Sequence, residues 1–130
     1  MKLVVEREHY RMSVDPPNNR ILFEAWGDCV EPNLFIHFAD DWKKACSYVK
    51  PGFTVLGDYT QVDVFFVREA FAKGMKVIFD SGVHKCAVFW GNAVLGKFTT
   101  EQAAELASPE YAAKRQSFKT REEAEAWLNS

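Results

Sequence analysis

The sequence predicts an α/β domain built on a mostly parallel sheet, and three observations carry that prediction. Strand-like apolar runs alternate with stretches whose apolar residues recur every three or four positions. The run His84 to Trp90 ends in continuous apolar residues, as a strand buried on both faces does. Strands separated by crossover helices cannot pair as simple hairpins, so all but an N-terminal pair should lie parallel, with helices covering them.

The elements follow in order. His9 to Asp15 and Arg20 to Gly27 read as strands, and Pro16-Pro17-Asn18-Asn19 between them is a hairpin signal. From Pro32 the period changes. Leu34, Phe35, Phe38, Trp42, Ala45, Cys46 and Val49 form a helical stripe that Pro32 can start and Pro51-Gly52 must stop. Asp40, Asp41, Lys43, Lys44 and Lys50 occupy its wet side. Phe53 to Tyr59 is the next strand.

Asp63 to Ser81 reads as one long helix. Val64, Val67, Phe71, Met75 and Ile78 are spaced by 3, 4, 4 and 3, with Asp63 as N-cap and Gly82 as the C-terminal stop. Gly74 inside it costs about 1 kcal/mol relative to alanine. After the strand His84 to Trp90 the chain turns helical, with a capping box at Thr99-Thr100-Glu101-Gln102 and a stop at Ser108-Pro109. Gln116 to Phe118 is a short edge strand, and Thr120-Arg121-Glu122-Glu123 caps a terminal helix that turns Ala124, Trp127 and Leu128 inward. The order is ββαβαβαβα, with four or five strands and about four helices.

Composition narrows the function. A chain of 130 residues, 48% hydrophobic and 26% charged, fits a single domain over residues 1–130 with one core, and 11 phenylalanines make that core aromatic. A net charge of −2 gives no basic field for nucleic acid; the cations Lys114, Arg115, Lys119 and Arg121 read as a solvated face. Three cysteines without CxxC spacing argue for free thiols in a reducing compartment, hence a cytoplasmic address. The start, Met1-Lys2-Leu3-Val4-Val5-Glu6, is too short an apolar run for a signal peptide or a membrane span.

Chemistry-bearing clusters are sparse. His84 and Cys86 share a strand face at i and i+2, but two ligands do not make a metal site, and Cys86 fits the core. Asp40 and Asp41 diverge by about 100° on a helix. His37 reads as solvated, and His9 has no legible partner. Gly91 to Lys97 lacks the spacing and the Ser or Thr of a phosphate-binding loop. No metal, cofactor or catalytic residue is expected.

Several phrases in this order resemble the SpoIIAA-like, or STAS-like, domains. They are Asn18-Asn19-Arg20-Ile21-Leu22 before a strand ending at Gly27, Lys50-Pro51-Gly52-Phe53-Thr54-Val55-Leu56 before an Asp, Gly82 to Val88, and Phe118 to Leu128. The resemblance implies a mixed, mostly parallel sheet with helices mainly on one side, acting as a non-enzymatic, switchable protein-binding module. In the regulatory members a strand ends in Asp, matched here by Asp58, and a Ser or Thr opening the next helix is phosphorylated. Asp63-Val64 stands at that place, so the phosphoacceptor is missing, and Thr60 is the remaining hydroxyl nearby.

The expectation is a regulatory domain working by protein or self association through Asp58, Thr60, Gln61, Asp63, Phe65 and Phe66. The alternative is a carrier of a small apolar or lipid-like ligand in a cleft like that of the related CRAL-TRIO proteins. A packed interior favours association; an apolar cavity above about 300 Å³ opening near Phe65 favours a ligand.

Overall fold

The computed structural model describes residues 1–130. Six strands form one sheet in the order of the chain: β1 (Lys2–Glu6), β2 (Tyr10–Asp15), β3 (Arg20–Cys29), β4 (Thr54–Phe65), β5 (Lys85–Trp90) and β6 (Arg115–Phe118). The pairs β1·β2 and β2·β3 are antiparallel, and β3 through β6 run parallel. Five helices connect them: α1 (Phe38–Cys46), α2 (Arg68–Asp80), α3 (Val94–Ala107), α4 (Pro109–Ala113) and α5 (Arg121–Leu128). The hairpin turn at Pro16–Asn18 is a 3-10 turn closed by Asn19 in the left-handed region, φ 50°.

Two cores flank the sheet. On one face Ile21, Phe23, Val55, Tyr59, Cys86 and Val88 pack under α1, α2, α3 and α4, with Phe38 and Phe71 stacked at 4.4 Å between ring centres. On the other face Leu22, Leu56, Ala87 and Phe89 meet Ala124 and Leu128 of α5. Strand periodicity makes the division, since successive residues of β3, β4 and β5 point to opposite sides. Gly74 stands where α2 crosses α1; a Cβ there would lie 2.4 Å from the Phe38 ring.

The structure corrects the long helix. Asp63 to Phe65 are the end of β4, and α2 begins at Arg68 with Val67 before it and no side-chain cap. The false start arises because Val64 of β4 stands three positions before Val67, in step with the buried stripe of α2 at Phe71, Met75 and Ile78, and two bulges give the end of β4 a like spacing. Between Glu24 and Trp26, and again between Gly27 and Asp28, β4 carries one residue more than β3, so inward positions fall at Tyr59, Val62 and Phe65, three apart. Lys76 to Asp80 are helical as expected, and Gly82 ends the turn with φ +91°.

Smaller corrections follow the same logic. The first helix is a 3-10 turn at Pro32–Phe35 followed by α1, and α3 starts at Val94, so Thr99 sits inside it and donates to the Leu95 carbonyl instead of capping. Ser108 stops α3 and caps α4 by accepting from the Tyr111 N–H, and Thr120 caps α5 by accepting from the Glu123 N–H. β1 has only Val5 buried and adds a sixth strand that its short apolar run does not announce.

Candidate functional site

The expected surface divides into two places. Asp58 and Gln61 line a polar groove with Arg11, Glu24 and Trp26, whereas Asp63, Phe65 and Phe66 line a second groove with Asn92 to Gly96. The bulge after Asp58 separates them. There Asp58 Oδ1 accepts from the Thr60 N–H at 2.9 Å and from its hydroxyl at 2.6 Å, closing a local turn inside the strand. Thr60, the one hydroxyl considered for phosphorylation, thus has its proton directed at a carboxylate, where an added phosphate would meet like charge.

The second groove arises because β4 outruns its neighbour. Pairing with β5 ends at Tyr59 and Trp90, so β4 continues from Thr60 to Phe65 with β3 on one side only. The first turn of α3 lies along the free side. Gly96 makes this approach possible, since a Cβ there would stand 3.0 Å from both Phe65 Cβ and the Trp90 ring. The result is an open groove of about 440 Å³ with six apolar residues among its nine.

Phe65 and Phe66 take opposite roles. Phe65 is buried, its ring edge-on to Phe71 at 4.4 Å, and cannot act as a surface anchor. Phe66 is 60% exposed beside Val94 at 74% and Leu95 at 72%, and Phe98, one turn along α3, is 58% exposed. Sequence reasoning missed Val94, Leu95 and Phe98. Their signal was the apolar pair flanking Gly96, legible only once α3 is known to start at Val94.

Several single residues also fall into place. His84 is exposed ahead of β5 and Cys86 is buried, with the Tyr111 hydroxyl 3.5 Å from its sulfur, so the two share no cleft. Asp41 is not wet. It is 5% exposed and accepts from Arg7 Nε at 3.0 Å, Arg7 Nη2 at 2.9 Å and Tyr10 Oη at 2.6 Å. His9 donates from Nδ1 to the Trp26 carbonyl at 2.8 Å, over Gly27 with φ +76°. Arg115 departs from the solvated face assigned to it, because its Nη2 is sealed in the core.

The interior is filled. The void between the aromatic rings of the main core is about 10 Å³, room for one water-sized guest. Parallel strands added in one direction with α1 to α4 on one face give no point where strand order reverses, the place where open α/β sheets usually hold nucleotides. No helix is long and apolar enough to cross a membrane.

A crystal structure of a DUF3478 family protein from Shewanella loihica PV-4, described as having a SpoIIAA-like fold, superposes with a TM-score of 0.60 over 96% of this chain and 98% of that one. This chain has the SpoIIAA-like fold. At 15% identity the likeness is one of fold. No protein-family profile matches the sequence, and no curated protein does. In this SpoIIAA-like frame the residues where the resemblance expected a switch, Asp58 to Val64, all lie within β4 and do not open a helix.

Proposed function

We propose that this domain works by association with a second copy of itself, through the apolar patch of Phe66, Val94, Leu95 and Phe98. The observation that supports the reading is the exposure of Phe66, Val94 and Leu95 around one groove, with Phe98 exposed one turn further along α3, in a chain whose interior is packed. Contiguous apolar surface of this kind on a small domain marks a contact site.

A second copy fits the patch better than a small ligand. Ligand sites enclose most of their guest, and this groove, though larger than 300 Å³, is open along a rim of side chains that are themselves mostly exposed. A two-fold contact sets the same residues against themselves, so apolar meets apolar. The borders carry one acid, Asp63, and one base, Lys97, and the net charge of −2 offers little repulsion between copies. Four anchors imply a contact toward the small end of the range, with a dissociation constant on the order of micromolar. The domain is non-enzymatic in this reading, and its three free cysteines accord with a reducing, cytoplasmic setting.

Sedimentation velocity of the whole chain between 1 μM and 1 mM, concentrations on the order of the expected constant, tests the proposal. The wild type should pass from monomer to dimer, and Leu95→Asp should stay monomeric with unchanged thermal stability. A wild type that remains monomeric throughout contradicts it; monomers that bind an apolar dye at the groove would favour the carrier alternative.

A further inference from the structure

α3 distributes its residues against the usual rule. Its 14 residues bury Gly96, Thr100, Ala103 and Ala104, all small, against the body of the fold. Its large apolar side chains point outward: Val94, Leu95 and Phe98 at its start, and Leu106, 59% exposed two turns beyond Phe98. Four of the chain's ten exposed large apolar side chains thus stand on this one helix. Burial favours the reverse arrangement, since water exclusion of each such side chain contributes about 1.5–3 kcal/mol. The outward face of α3 is built to be covered.

Two rows run side by side along that face. Leu95, Phe98, Gln102 and Leu106 follow at 3, 4 and 4, which makes one row roughly 17 Å from end to end at 1.5 Å per residue. Lys97, Glu101 and Glu105, four apart, form the other; all three are exposed, and none joins an ion pair within the chain. The apolar row is centred between Thr100 and Glu101, and the charged row on Glu101. A single two-fold axis across the helix therefore serves both. An antiparallel copy about that axis sets Leu95 opposite Leu106 of the partner subunit and Lys97 opposite Glu105 of the partner subunit, each contact made twice. Glu101 alone meets its own counterpart near the axis, and Arg115, which lines the groove beside Glu101 and Glu105, lessens that repulsion.

We infer, resting on the self-association proposed above, that the element covering α3 is α3 of the second copy, laid antiparallel. Leu106 is an additional anchor, and the pair of Lys97 with Glu105 of the partner subunit fixes the direction of the helices. The contact then runs the length of α3 instead of ending at the groove beside Phe66. The charged row favours this occupant over an apolar ligand, since it matches itself when reversed and an apolar guest would leave it unpaired.

Sedimentation velocity of the whole chain at low ionic strength, where surface charges are least screened, reads the pairing in four samples: wild type, Lys97→Glu, Glu105→Lys, and an equimolar mixture of the two variants. Each variant alone should dimerise about tenfold more weakly, because two attractive pairs become two repulsive ones. Net charge alone predicts the opposite for Glu105→Lys, which adds two positive charges to a net of −2. The mixture should recover wild-type association, because each variant supplies the charge that the other lacks. Leu106→Asp should weaken the dimer several-fold with an unchanged thermal midpoint. A wild type that dimerises while both variants and their mixture behave like it, or variants that weaken without recovery on mixing, overturns the α3 pairing and leaves the association reading standing. A wild type that stays monomeric overturns both.

Discussion

The Tyr10 hydroxyl donates to Asp41 Oδ2 over 2.6 Å, and Arg7 closes the same carboxylate from outside through two bonds. This joint ties the antiparallel edge of the sheet to α1. Removing one partner is unequal in effect. Asp41→Ala leaves a buried phenol unpaired and should cost about 2–3 kcal/mol, whereas Tyr10→Phe leaves Asp41 still held by Arg7 and should cost about 1 kcal/mol. Urea unfolding of the two variants measures the asymmetry, and equal losses would contradict it.

Gly74 offers a prediction of opposite sign to helix propensity. Alanine at a helix interior is worth about 1 kcal/mol over glycine. At this crossing its methyl group would meet the Phe38 ring at 2.4 Å and Trp42 Cδ1 at 2.9 Å. Overpacking of that kind costs about 1–3 kcal/mol or more. Gly74→Ala should therefore lower the thermal midpoint, and a raised midpoint would show that α1 and α2 can separate freely.

Alkaline stability follows from the buried thiol and phenols. Desolvation, with help from the charges of Asp28 and Asp63, pushes the Cys29 thiol up to about 12, and burial raises Tyr10, Tyr59 and Tyr111 above the ordinary phenol value. The folded chain holds these protons more tightly than the unfolded chain. Their contribution is thus complete below the unfolded values, about 8.5 for Cys and 10 for Tyr, and fades as pH climbs from there toward the folded ones. The urea midpoint should be level from pH 7 to 8 and fall above about pH 9. Cys29→Ala should make that fall shallower without abolishing it, since burial also raises the Cys46 and Cys86 thiols.

Much of this architecture was legible in the residues. Parallel topology followed from the alternation of elements, and the Thr120 cap and the Gly82 stop were local chemistry that tertiary contacts left intact. The β4 overhang was not legible, because Val64 falls in step with Val67, Phe71, Met75 and Ile78, so the stripe of α2 ran backward without a break into the strand. Asp41 and Arg115 were hidden for a different reason. Their burial depends on partners 34 positions away for Arg7 and on the void beneath the helices, which no local pattern encodes. The same distance hid the site: Phe66 meets Val94 and Leu95 only because β4 runs on past β5.

Phe98 separates the contact surface from the core beneath it. It is exposed on α3, so Phe98→Ser should leave the unfolding free energy within about 0.5 kcal/mol of wild type while weakening dimerisation several-fold. A stability loss comparable to that of a core phenylalanine, about 3 kcal/mol or more, would place Phe98 in the fold instead of the interface.

The most direct measurement of the central claim is a dilution series followed through backbone amide resonances. Self-association through the overhang predicts concentration-dependent shifts confined to Asp63 to Arg68 and Asn92 to Ala107, with α5 and the β1–β2 hairpin unmoved. Shifts that centre on the hairpin or α5, or none at all up to millimolar protein, would contradict the account.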